Sequence, residues 1–182
     1  RFFATGICPI TLNSMTTGFN IATDISTRPE YNSMVGLTHE EVKWLFKELN
    51  LSKEEQDKVF NLMISQYDGY RFSENTDERI FNATLVMYFL SEYIRDKQIP
   101  KKLYDNNIVV NYGKIDNLLR LQDNKFYKDI ISDILDNDEI EGILKTQFNL
   151  VEDFTRDDII SLLYYFGYLT IKEQSIIGKM IF

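Results

Sequence analysis

Tyr67-Asp68-Gly69-Tyr70-Arg71-Phe72, followed a short way on by Phe81-Asn82, decides how this chain reads. It closes one helical run and precedes another. Gly69 can take a positive φ, which suits a helix stop or a tight turn. Aromatic residues crowd around it beside Asp68 and Arg71. A solvated turn rarely carries so much aromatic area, so this one is expected to pack between helices. Upstream, Thr38-His39-Glu40-Glu41 and Ser52-Lys53-Glu54-Glu55 each place a hydroxyl three residues before a glutamate, the pattern of a capping box. The two helices they open put Val42, Leu45, Phe46 and Leu49, then Val59, Phe60, Met63 and Tyr67, on their inward faces. Downstream, Asn82 reads as the N-cap of a third helix with Leu85, Val86, Phe89, Leu90, Tyr93 and Ile94 as its stripe. Pro100 ends that segment.

Further out, residues 97–102 read as a linker. Two more helices are expected over Ile115–Leu121 and Phe126–Leu135, the second with Ile130, Ile131, Ile134 and Leu135 as its apolar face. Asp136–Glu141 reads as a polar turn and Glu141–Leu150 as an extended arm. Thr155-Arg156-Asp157-Asp158 caps another helix that buries Ile159, Ile160, Leu162, Leu163 and Phe166, and Gly167 stops it. Tyr168–Lys172 and Ile176–Phe182 then read as a hairpin turning near Glu173-Gln174-Ser175. Helices followed by a hairpin make a winged-helix-like arrangement. At the other end, Phe2–Ile10 is a short apolar run that reads as a buried strand. It is either an edge strand of a small protein or the last strand of a larger sheet. The second is preferred, because no other strong strand lies near it, and the chain is then a segment of a longer protein. Residues 11–37 form a long connection anchored by Phe19, Ile21, Ile25, Tyr31 and Met34.

Composition agrees with a packed, mainly helical chain. Of 182 residues, 44% are hydrophobic and 14% aromatic, which excludes a disordered chain. Only three prolines and eight glycines interrupt it, so long regular elements are expected. The net charge of −8 makes nucleic acid a poor partner, since phosphate binding needs a basic face. Cys8 is the single cysteine, so no internal disulfide forms, and the lone thiol fits a cytoplasmic setting. No apolar run reaches the roughly 20 residues that span a bilayer, and no signal peptide is read.

The chemistry-bearing motifs are mostly missing. Neither G-x-x-x-x-G-K-[ST] nor G-x-G-x-x-G occurs, so nothing here wraps backbone N–H groups around a phosphate. A single histidine and a single cysteine make no zinc site. His39, in the first turn of a helix, is expected to be a solvated residue. The triplets Glu41-Val42-Lys43 and Asp123-Asn124-Lys125 lie in or beside helices, where charged surface explains them better than a nuclease site does. Two residues remain. Thr5, at the end of the first strand, is either an ordinary strand threonine or a group that reads a phosphate. Arg71 either reaches a phosphate or pairs with Asp68 or another acidic neighbour. For both, the plainer reading carries more weight.

Phe3-Ala4-Thr5-Gly6-Ile7-Cys8-Pro9-Ile10 resembles the "F-I-T-G-V-S-P-I" strand of the bacterial AAA-ATPase-like family, and Leu12–Ile21 resembles its next segment. Gly36–Val42 is similar to its "G-F-T-E-E-E-V" helix start. Residues 67–72 match "Y-D-G-Y-R-F", and Phe81-Asn82 stands where the family has "Y-N-P", with Ala83 in place of the proline. Leu162–Thr170 resembles "L-L-Y-F-T-G-Y-L-T". The blocks recur in order over nearly the whole chain, least well around 100–150. The resemblance implies a P-loop NTPase from which this chain lacks the Walker A and Walker B motifs. What remains would be a strand and loop of the ATPase core over 1–37, a helical lid over 38–99 and a winged-helix-like region over 100–182. The implied fold is mainly α, and the implied role is the lid and sensor part of a nucleotide-dependent switch, catalytically silent alone. ATP and magnesium are implied for the parent protein and none for this segment. Thr5 and Arg71 are the nucleotide-sensing candidates, and the partner is the upstream ATPase core of the same protein. Many family members carry a PD-(D/E)XK nuclease-like domain downstream. The rival reading is a stand-alone helical interaction module whose acidic surface meets a basic protein partner.

Overall fold

The computed structural model describes Gly6 and residues 23–104, 125–146, 148, 153–174 and 179–182. Among them the chain is mainly helical, with α1 His39–Glu48, α2 Lys53–Tyr67, α3 Ala83–Asp96, α4 Lys125–Asn137 and α5 Arg156–Tyr165. Three two-residue strands complete it: β1 Glu141–Gly142, β2 Glu173–Gln174 and β3 Met180–Ile181. The expected strand over 2–10 (Gly6 apart), most of the connection that follows it, and the expected helix over 115–121 lie outside the described residues. Among the described residues, no helix is long and apolar enough to cross a membrane. The chain divides into two compact units, one of Ser26–Asn111 and one of Arg1–Ile25 with Tyr112–Phe182.

In the first unit the local signals act as expected. Thr38 and Ser52 each close a reciprocal capping box, and Asn82 caps α3 by accepting from Leu85 N. Such caps satisfy backbone donors that the helix itself leaves open, each contributing about 1 kcal/mol. The apolar stripes then meet. Val42, Phe46, Val59, Met63, Val86 and Phe89 are fully buried, with Tyr67, Leu85, Leu90 and Tyr93 nearly so. Leu45, Leu49 and Phe60 are partly buried against this core. Ile94 departs from expectation at 39% exposed, immediately after Tyr93, the last residue that α3 buries. Burying a large apolar side chain contributes about 1.5–3 kcal/mol, so these stripes are the main source of the unit's stability. Rings add directionality: Phe89 stacks on Tyr93 at 6.0 Å and meets Tyr67 edge-on at 6.1 Å.

The Tyr67–Phe72 turn is the hub of this unit. Tyr70 bridges Ile80 and Leu37 bridges Phe81, both antiparallel, so the 80–81 segment lies between the turn and the approach to α1. Gly36 makes that approach possible. Its φ is +108, and a Cβ there would sit 2.2 Å from Ile80 Cγ2 and 2.8 Å from the Phe81 carbonyl oxygen. Tyr67 ends α2 and its hydroxyl donates to the Leu103 carbonyl at 2.6 Å, tying the chain after α3 back to the core.

The second unit is built differently. α5 is apolar nearly all round, with Ile159, Ile160, Ser161, Leu162, Leu163 and Tyr164 buried, and Thr155 closes its capping box. Phe166, expected inside, is its half-buried C-cap. α4 buries Ile130 fully, whereas Leu135, expected on the same face, is 75% exposed. Five residues along a helix turn a side chain well away from its starting face, so Leu135 cannot share Ile130's stripe. The sheet is antiparallel in the order β1-β3-β2, pairing Glu141 with Ile181 and Glu173 with Ile181 on its two sides. This corrects three expectations. Glu141 is a strand residue and not part of a turn. The hairpin's first strand is Glu173–Gln174, where the turn was expected, and not Tyr168–Lys172. The cause is the end of α5: Tyr168 N and Leu169 N both donate to the Leu163 carbonyl, so these residues wind off the helix and are not free to pair. Ladder bonding starts only where Lys172 N meets the Ile181 carbonyl at 2.7 Å.

Candidate functional site

Of the two sensing candidates, Thr5 lies outside the described residues. Arg71 is 6% exposed, inside the first unit. Its Nη1 stands 3.8 Å from Asp77 Oδ1, and Asp77 is fully exposed. Of the acidic neighbours expected for Arg71, Asp77 is in ion-pair range, while Asp68 turns to His39. The loop that carries both residues is closed by one buried side chain, Asn32, which is 1% exposed. Its Oδ1 accepts from Phe72 N at 2.9 Å and Ser73 N at 3.3 Å, and its Nδ2 donates to the Glu78 carbonyl at 3.0 Å. A buried amide with its hydrogen bonds made holds a loop firmly, because breaking them leaves desolvated groups without partners.

His39 was expected to be solvated, and its side chain is indeed 41% exposed, but it also has a partner that the sequence did not suggest. Its Nε2–H donates to Asp68 Oδ2 at 2.9 Å, and the Asp68 side chain is only 7% exposed. The ring lies 4.9 Å from Phe81 and meets Phe60 edge-on at 5.5 Å. Lys43 Nζ stands 4.6 Å over the other ring of this group, Phe60. So the first turn of α1 is tied to the Tyr67–Phe72 turn by an imidazole–carboxylate contact between aromatic rings. No local pattern announces it: His39 and Asp68 are 29 positions apart. The available signal was the polar residue at the helix start together with the aspartate beside a positive-φ glycine.

These residues border a groove of about 350 Å³ lined by Thr38, His39, Glu40, Asp77, Glu78 and Arg79. Arg79 is exposed, and its Nη1 donates to the Gly69 carbonyl at 3.1 Å. Gly69 has φ +124, as its place in the turn required. Three carboxylates against one guanidinium give the groove an acidic lining, suited to a cationic group and opposed to a phosphate. Among the described residues, no group of three histidine, cysteine or acidic side chains is placed to hold a metal ion. The arginine of the turn is inside, and three of the six residues that line the groove are carboxylates.

In the second unit the polar side chains are spent on the arm after β1. Arg156 Nη1 donates to the Glu141 carbonyl at 2.8 Å, and its Nη2 meets Asp133 at 3.3 Å. Asp157 Oδ1 accepts from Ile143 N, Ser161 Oγ accepts from Lys145 N, and the Tyr165 hydroxyl donates to the Lys145 carbonyl. Asp158 serves the cap. The charged residues of α5 are thus engaged within the unit. Comparison with known proteins finds no matching family model, no matching curated protein and no matching solved structure.

Proposed function

We propose that this chain is the C-terminal part of an AAA-like ATPase module, a helical lid followed by a winged-helix-like region, without catalytic activity of its own. One observation carries this reading. The blocks by which the sequence resembles that family, residues 36–42, 67–72 and 81–82, meet in space as the hub of the first unit through the Leu37–Phe81 and Tyr70–Ile80 bridges. A lid works by moving as one piece over nucleotide and passing on its state, which needs such a rigid hub. The order α4–β1–α5–β2–β3, ending in a hairpin, supports the winged-helix-like part. Thr5 remains the sensor-type candidate. Arg71 enters the reading by bracing the turn, since a direct phosphate contact would require it to leave the interior. ATP and magnesium belong to the upstream core. Calorimetric titration of Mg-ATP into this chain and into a version extended upstream through the Walker motifs tests the proposal. Binding by the longer protein alone is expected; an upstream region without Walker motifs, or no binding by either, overturns it.

The acidic groove favours a second reading, a helical interaction module that takes a basic protein segment. Glu40, Asp77 and Glu78 line the groove, and the chain carries a net charge of −8. Nucleic acid is disfavoured on both readings, because Arg156, the cation of α5, is held by Glu141 and Asp133.

A further inference from the structure

We draw no further inference here: the strongest candidate, the groove between the first turn of α1 and the Asp77–Arg79 segment, is an acidic cluster at a helix start, and the one carboxylate oxygen near it with no hydrogen-bond partner among the described residues, Oδ1 of Asp68, is buried and does not line the groove, so nothing points to a ligand.

Discussion

The two units each hold a non-helical segment with one small buried polar side chain, but they place it differently. In the first unit Asn32 follows a short 3-10 turn, Pro29–Tyr31, and gathers the loop 72–78 from outside the helices. In the second, Ser161 sits within α5 and holds the arm at 143–145 directly against the helix. The cores differ in the same sense. Three helices with one apolar face each enclose the first core. A single helix buried nearly all round, covered by short strands and α4, makes the second. A core of facing stripes leaves the outer helix faces open to solvent. A core around one helix must satisfy that helix's own polar groups internally, which is why Asp157, Ser161 and Tyr165 bond to the arm and Arg156 to β1 and α4.

The largest expected effect tests whether the facing stripes carry the first unit. Phe89→Ala removes a fully buried ring that contacts Tyr67 and Tyr93, and should cost about 3–5 kcal/mol. Trp44 is the only tryptophan and lies on α1, so its fluorescence during urea unfolding reports on the first unit. A loss under about 1 kcal/mol would mean that the stripe is not the source of stability.

The glycines sharpen the contrast next. At Gly36 an added Cβ meets backbone and a branched side chain at a positive φ, so Gly36→Ala should cost about 3 kcal/mol or more. At Gly142 no positive φ adds strain, and the nearest atoms, Cδ1 of Ile160 at 2.9 Å and Cγ2 at 3.1 Å, belong to a side chain and not to backbone. Gly142→Ala should therefore cost only about 1 kcal/mol, read from the far-UV circular dichroism transition. Equal effects would break the distinction between the rigid approach to α1 and the adaptable one to α5.

Asn32→Ala strands two backbone donors and one carbonyl, for an expected loss of about 1–3 kcal/mol in the Trp44 transition. Asn32→Asp keeps the acceptor for Phe72 N and Ser73 N but buries a carboxylate whose other oxygen faces the Glu78 carbonyl, and should cost at least as much. If both variants match the unchanged protein, the loop is held by its rings alone.

The smallest effect lies in alkaline solution. Burial, with Tyr104 and Tyr88 nearby, pushes the Tyr67 hydroxyl up to about 12 from its ordinary 10. Between those values the unfolded chain has already released the proton that the folded chain keeps. Tyr67 therefore contributes stability below pH 10 that is lost progressively as pH rises towards 12. Ultraviolet titration should find Tyr67 and Tyr93 of the first unit ionising above the ordinary tyrosine range, and Tyr67→Phe should remove one of these late steps. A titration unchanged by the substitution would place the late proton elsewhere.

Much of the helical architecture was legible in one dimension. The boxes at Thr38, Ser52 and Thr155 and the cap at Asn82 act within three residues, and the stripes of α1 to α3 repeat at the helical period. Signals of that range survive whatever the rest of the chain does. The misses have separate causes. Leu135 looked apolar enough to be inside, but it lies five residues from Ile130, and the helix turns it off that face. The strand over 168–172 failed at its start because the carbonyl of Leu163 had already taken the backbone donors of Tyr168 and Leu169.

What the sequence by itself determined is therefore where helices start, which residues their faces offer, and that residues 67–72 form a turn around Gly69. Only the tertiary structure decided that His39 meets Asp68, that Asn32 closes the loop 72–78, that Arg71 lies inside and that β3 runs between β1 and β2. These contacts join positions 29 to 46 apart in the first unit and about 40 apart across β1 and β3. Each partner looks like an ordinary polar or apolar residue until the helices have packed. The pairing depends on distance in the folded core, and no local pattern encodes that distance.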